Sequence, residues 1–261
     1  MVVKVSVTKA NSIEDMAQVA AQKFVQICEK TVTKKGLFSV ALAGGNTPRR
    51  LYEILSSPPY VHRLPWDRIT VLLGDERLVP VDHEESNFRM IKAALLEQAP
   101  LKPQNILRVY TELATPGSSA ADYELLIKKH LGVKEGALPV IDLVLLGMGP
   151  DGHTASLFPG TEALKDKTSV VRANFVPKFN SWRITLTSAT IRNAQNVIFM
   201  ATGADKAQAL KEVLEGELNE NLYPAQLIRG MVGKVEWLVD NEISAGLNQS
   251  LSSSSTGVGQ K

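Results

Sequence analysis

Cysteine occurs once in the 261 residues, at position 28, so neither an intramolecular disulfide nor a cysteine-rich zinc site is open to this chain. Cys28 falls in phase with Phe24 and Thr31 on an apolar helical face, where a free thiol is a small buried hydrophobe. An excess of one charge is also missing. Lys and Arg total 29 against 27 Asp and Glu, a net of +2, and the basic residues are scattered. That excludes an electrostatic footprint for nucleic acid. No apolar run approaches the roughly 20 residues of a membrane span. The first residues carry neither a signal-peptide apolar region nor Arg/Ser-rich transit character, so a cytoplasmic protein without a membrane partner is expected. Two catalytic spacings are absent as well. There is no Gly-x4-Gly-Lys-Ser/Thr phosphate loop, and no Gly-x-Ser-x-Gly elbow for a nucleophilic serine.

What is present is an alternation of strands and helices. Continuously apolar runs at 37–43, 69–73 and 140–146 read as buried strands, and 170–175, 183–187, 197–201 and 235–239 as further strands. Short strands are expected near 2–8 and 105–109. Ile13, Met16, Ala17, Ala20, Phe24 and Ile27 recur at helical spacing. Ser12 is the N-cap, Asp15 its box-like partner, and Gly36 the stop. Further helices are expected at 49–55, after Ser86 or Asn87, around Tyr123 to Leu131, and at 205–214. Apolar strands between helices specify a three-layer α/β fold, a mainly parallel twisted sheet with helices on both faces. No repeat or linker divides the chain, so one catalytic domain is expected over 1–243. The Ser/Gly-rich stretch 244–261 is expected to be disordered.

Two loops carry chemistry. Gly44-Gly-Asn-Thr-Pro48 follows a buried strand and opens a helix. Its glycines permit close backbone approach, Asn46 or Thr47 is a candidate cap, Pro48 suits the first turn, and free N–H groups there favour a phosphate. A plain capped turn would look the same. Arg77, at the end of another strand, adds a planar fork for phosphate. Lys178, Arg183 and Lys206 also flank strands. The second loop, Gly147-Met-Gly-Pro-Asp-Gly152, ends in His153 at a strand's carboxyl end, where open α/β sheets bind ligands. His153 has no partner at i+3 or i+4, which argues against a metal site. It is the candidate base, with Asp151 placed to orient the loop or raise the imidazole's basicity. A helix-start histidine bonded to backbone is the plainer reading. The Gly-x-Gly-x-x-Gly match suggests a nicotinamide-dependent dehydrogenase, but three features oppose that. The next helix is cut short at Phe158-Pro-Gly160, no acidic residue ends the strand at 170–175, and Pro150 and Asp151 occupy the pyrophosphate position.

Together, Ala43-Gly-Gly-Asn-Thr-Pro48, Gly74-Asp-Glu-Arg-Leu-Val-Pro80, Ser86-Asn87 and Gly147-Met-Gly-Pro-Asp-Gly-His-Thr-Ala-Ser-Leu-Phe-Pro159 resemble the glucosamine-6-phosphate isomerase/6-phosphogluconolactonase family. Arg183-Ile-Thr-Leu-Thr187 and Gly203-Ala-Asp-Lys206 extend the match over roughly residues 10–240. Within the family the chain is more similar to the lactonases. The deaminases carry Leu-Asp-Glu-Tyr in place of Gly74-Asp-Glu-Arg77, and Ile-Ala-Phe-Asn-Glu-Pro after the histidine. Asn46 stands where serine is frequent, and the proline cluster usual between Lys178 and Arg183 is missing.

The resemblance implies a Rossmann-related, deaminase-like fold. It also implies hydrolysis of 6-phosphoglucono-1,5-lactone in the oxidative pentose phosphate pathway. His153 and Asp151 would be catalytic. Gly45, Asn46, Thr47, Asp75, Arg77, Lys178, Arg183 and Lys206 would bind the substrate, a phosphorylated sugar lactone. Which of Lys178, Arg183 and Lys206 reach the phosphate is left open. Neither metal nor organic cofactor is expected, and the assembly is expected to be a monomer or weak homo-oligomer. A deaminase and a non-catalytic sugar-phosphate sensor are the alternatives.

Overall fold

The computed structural model describes residues 5–248. Its strands are β1 (Val5–Ala10), β2 (Phe38–Leu42), β3 (Ile69–Leu73), β4 (Asp75–Arg77), β5 (Ile106–Leu107), β6 (Leu143–Leu146), β7 (Val171–Val176), β8 (Ser181–Leu186), β9 (Asn196–Ala201) and β10 (Lys234–Asp240). The α-helices are α1 (Ile13–Lys35), α2 (Asn46–Leu55), α3 (Tyr60–Arg63), α4 (Asn87–Ile91), α5 (Pro116–His130), α6 (Ser188–Arg192) and α7 (Ala207–Leu214). Seven strands form one sheet in the order β1-β10-β9-β6-β2-β3-β5, and all six pairings are parallel. Every residue of β2, β3 and β6 is buried. Strands covered on both faces have no polar side to show, which is why their sequences run apolar without alternation.

The expected parallel sheet is therefore present, but three strands lie outside it. β4, β8 and β7 form a separate antiparallel sheet. In β7, Arg172 and Phe175 face solvent while Val171, Asn174 and Val176 are buried, the pattern of a sheet covered on one face.

α1 starts at Ser12, whose hydroxyl accepts the N–H of Asp15, and ends at Gly36. The Asp15 carboxylate turns to Asn11 rather than back to the cap. At the other end of the chain the anchored structure extends past residue 243. Ser244 is buried, and Asn248 donates from its backbone and side-chain nitrogens to Glu215. Residues 249–261, the rest of the expected tail, lie outside the described residues. Among the described residues no helix is long and apolar enough to cross a membrane.

The chain builds β2, β3 and β5 outward on one side, then returns with β6 beside β2 and continues through β9 and β10 on the other. The order thus reverses between β2 and β6, and a crevice opens at their carboxyl ends. Two buried tyrosines fix the strand ends beside it. The Tyr52 hydroxyl donates to Ala43 O at 2.7 Å, and the Tyr123 hydroxyl accepts from Leu73 N at 2.7 Å and donates to Leu73 O at 2.9 Å. Burial pushes both phenols above their ordinary pKa, so they remain neutral donors.

Candidate active site

A cleft of about 320 Å³ lies at that reversal point. It is large enough for a small sugar derivative. Leu145, Leu146, Met148 and Met200 supply apolar lining, and Gly44, Gly45, Asn46, Thr47 and Pro48 line the wall where β2 passes into α2. Asp75, Arg77, Asn87, His153 and Lys206 add further polar side chains to those of Asn46 and Thr47.

The helix at that wall begins one or two residues earlier than the expected cap at Asn46 or Thr47 implied. Asn46 is its first residue and Gly45 its cap. Neither Asn46 nor Thr47 caps it, no side chain among the described residues caps its first turn, and that turn also lacks an acidic residue. Pro48 has no N–H. The donors left at this positive helix end are the backbone N–H groups of Gly45, Asn46 and Thr47, beside the cleft. Gly44 has a different reason to be glycine. A Cβ there would lie 1.9 Å from the Asn87 Oδ1. Asn87 donates to Asp75 O at 2.9 Å and to Asp75 Oδ1 at 3.3 Å, while Ser156 donates to Asp75 Oδ2 at 2.6 Å. Asp75 is thereby fixed in place with its carboxylate engaged on both oxygens.

His153 lines the same cleft, from the loop after β6. The expected helix after Gly152 does not form. Gly152 and Ala155 both have left-handed backbones, with φ of 71° and 47°. A right-handed helix cannot pass through two such residues three apart. The loop instead closes on itself. Gly149 N donates to His153 O at 3.0 Å, and the Thr154 hydroxyl donates to Gly147 O at 2.8 Å. With no helix at its end, this loop also lacks the anion-binding terminus a dinucleotide site needs.

Asp151 itself is not in the cleft lining. Its Oδ1 lies 2.5 Å from His153 Nδ1, and its Oδ2 accepts from Lys178 Nζ at 3.0 Å. Burial would raise the Asp151 pKa, but the hydrogen bonds from His153 and Lys178 overcome it and hold the carboxyl well below the usual range. An ionised carboxylate only accepts, so the proton of a neutral imidazole sits on Nδ1 and the lone pair on Nε2. Phe158 lies against the imidazole, with ring centroids 4.0 Å apart and planes within 21°. A Cβ at Gly149 would come within 2.1 Å of the imidazole Cε1.

Of the expected substrate ligands, Gly45, Asn46, Thr47, Asp75, Arg77 and Lys206 meet at the cleft. Lys178 and Arg183 do not line it. Lys178 is turned to Asp151. Arg183 pairs across the sheet with Arg77 and is buried, with its Nε unpartnered. Burial first, and the adjacent Arg77 second, lower its pKa. Arg77 Nη1 donates to Glu85 O at 2.7 Å, and its Nε is also without a partner. Among the described residues neither guanidinium forms a contact ion pair with a carboxylate; Asp75, Glu85 and Glu76 offset the Arg183 charge only from a longer range. Sequence reasoning missed Phe158, which lies within the loop motif, and the part Asn87 plays beyond helix initiation.

The model of the family described as glucosamine-6-phosphate isomerases/6-phosphogluconolactonase matches residues 11–237. The 6-phosphogluconolactonase of Synechocystis is 39% identical over 218 residues, covering 84% of this chain and 88% of its own. Among solved structures, the Trypanosoma cruzi 6-phosphogluconolactonase superposes with a TM-score of 0.85 at 32% identity, over 95% of this chain and 98% of that one. A monomeric glucosamine-6-phosphate deaminase superposes with a TM-score of 0.77 at 22% identity, over 93% of this chain and 99% of that one, which is a likeness of fold alone.

Proposed function

The chain belongs to the glucosamine-6-phosphate isomerase/6-phosphogluconolactonase family, and from that premise we propose that it hydrolyses 6-phosphoglucono-1,5-lactone to 6-phosphogluconate, a step of the oxidative pentose phosphate pathway, with His153 as the base. One observation carries the reading. A histidine whose Nδ1 is occupied by a carboxylate shares a single cleft with a helix N-terminus, Arg77 and Lys206.

The chemistry follows from those groups. A lactone carbonyl is already electrophilic, so one positioned base that activates water is sufficient. His153 Nε2 takes a proton from water as its oxygen bonds to C1. The tetrahedral oxyanion is stabilised by backbone N–H groups or a cationic side chain at the cleft. When the C1 to ring-oxygen bond breaks, the imidazolium returns its proton to that oxygen. The new carboxylic acid then ionises. Asp151 stays ionised throughout, keeping the tautomer and steadying the imidazolium. The phosphate, held by the N–H groups of Gly45, Asn46 and Thr47 with Arg77 and Lys206, supplies remote binding energy that fixes C1 at the base. Arg183 acts behind Arg77, as a second positive charge on the same side.

The test compares two substrates. Arg77→Ala should raise KM for the phosphorylated lactone by about tenfold or more, the scale of a charge-assisted hydrogen bond, and leave hydrolysis of glucono-1,5-lactone unchanged. Equal losses on both lactones would contradict the phosphate role. Ammonium release from glucosamine 6-phosphate, with no lactone turnover above the spontaneous rate, would replace this reading with a deaminase.

A further inference from the structure

The turn between β7 and β8 supports the His153 side chain along two routes. Its 3-10 segment, Pro177–Phe179, is closed by Asn180 in the left-handed region, with φ of 45°. This turn places Lys178 Nζ 3.0 Å from Asp151 Oδ2, the carboxylate oxygen that His153 Nδ1 does not use. It also places the Phe179 ring edge-on to Phe158, with centroids 5.6 Å apart, and Phe158 is the ring stacked on the imidazole. Lys178 and Arg183 lie over Phe179, each with its cation 5.5 Å from the ring centroid.

We propose that this turn is the positioning element of the base, with Lys178 acting through Asp151 and Phe179 through Phe158, and that Lys178 is not a phosphate ligand. The inference rests on the reading of His153 as the base. The terminal torsions of Asp and His side chains are broad and nearly two-fold, so a single hydrogen bond between them leaves both planes loosely set. A second anchor on Oδ2 fixes the carboxylate plane. A ring stacked on the imidazole fixes the other plane. With both set, the Nε2 lone pair has one direction. The two supports come from adjacent residues of one turn, on an antiparallel hairpin that is not part of the main sheet. Lys178 is absent from the cleft lining, whereas Arg77 and Lys206 are part of it.

The experiment uses the full chain with Lys178→Met and Lys178→Arg, each checked for an unchanged melting temperature. Kinetics are measured on 6-phosphoglucono-1,5-lactone and glucono-1,5-lactone, and the His153 imidazole 15N shifts are recorded by NMR. Lys178→Met should lower kcat by about tenfold to a hundredfold on both lactones, the cost of a misplaced reacting group, with KM for the phosphorylated lactone held within about twofold. Lys178→Arg should recover most of the rate. The 15N shifts of Lys178→Met should show a smaller share of the Nδ1-protonated tautomer. A rise in KM confined to the phosphorylated lactone, with kcat intact, would overturn the inference and make Lys178 a phosphate ligand. A wild-type protein without lactone turnover would defeat the proposed function instead. In that event the NMR result still decides, because unchanged 15N shifts in Lys178→Met overturn the positioning role by themselves.

Discussion

Gly149 shows how one missing side chain makes room for the His153 imidazole. A Cβ at this position would lie 2.1 Å from the imidazole Cε1, 2.2 Å from Nδ1 and 3.0 Å from Asp151 Oδ1. No rotamer of the new side chain relieves that, because the clash comes from its first atom, so the imidazole must move. Gly149→Ala should therefore displace the imidazole from Asp151 and lower kcat by about tenfold to a hundredfold, while KM for the phosphorylated lactone stays near its wild-type value. Steady-state kinetics check this, and an unchanged kcat would show that the close approach is not needed. The glycines of the loop were plain in the sequence, but their purpose was not. The Gly-x-Gly-x-x-Gly spacing pointed equally to a pyrophosphate cradle, and only the fold reveals the histidine ring packed against Gly149. Phe158 was hidden for a related reason. With no helix between them, no periodicity connects it to His153, five residues earlier. Lys178 and Arg183 were legible as cations at strand ends, but spacing cannot tell a cation that faces the cleft from one that faces Asp151.

At the level of elements, the antiparallel sheet was the least legible part of the fold. β4 is Asp75, Glu76 and Arg77, three charged residues with no hydrophobic pattern, and its strand character comes from pairing with β8. Pairing between distant segments overrides local propensity in such cases. The main sheet was legible because its strands are apolar throughout.

The small sheet is joined to the rest in part by Glu124 of α5. Its Oε2 accepts the N–H groups of Val170 at 2.8 Å and Val171 at 3.1 Å, and its Oε1 accepts from Lys128 at 2.6 Å. Burial alone would raise the Glu124 pKa. The Lys128 contact and the two backbone donors outweigh it and bring it below the ordinary value. A lowered folded-state pKa contributes stability that is present above the unfolded pKa, about 4.3 for Glu. That contribution is lost as pH falls through the folded value. Glu124→Gln should therefore cost about 1 kcal/mol at pH 7, the low end for a hydrogen-bonded charge with partial solvent screening. The gap to wild type should shrink as pH falls below about 4. Urea unfolding at both pH values measures it, and a gap that widened in acid would reverse the assigned sign.

Across the whole molecule, the cleft draws on both halves of the chain. The ends of β2 and β3 supply the proposed phosphate side, including Gly45, Asn46, Thr47, Asp75 and Arg77. The ends of β6 and β9 supply the His153 loop and Lys206. The strand order that joins them was not legible, since apolar strands of similar composition do not state their neighbours. The reversal between β2 and β6 explains why two loops about a hundred residues apart form one site. On the proposed reading it also puts substrate anchoring and proton transfer on separate elements.

The central claim is that His153 is the base, and its most direct test is the rate of 6-phosphoglucono-1,5-lactone hydrolysis by His153→Ala, corrected for the spontaneous reaction, in protein with an unchanged melting temperature. The account predicts a loss of about 10²–10⁴ in kcat, the usual contribution of a general base, with 6-phosphogluconate still bound. A folded variant that retained near-full rate above the spontaneous background would contradict it.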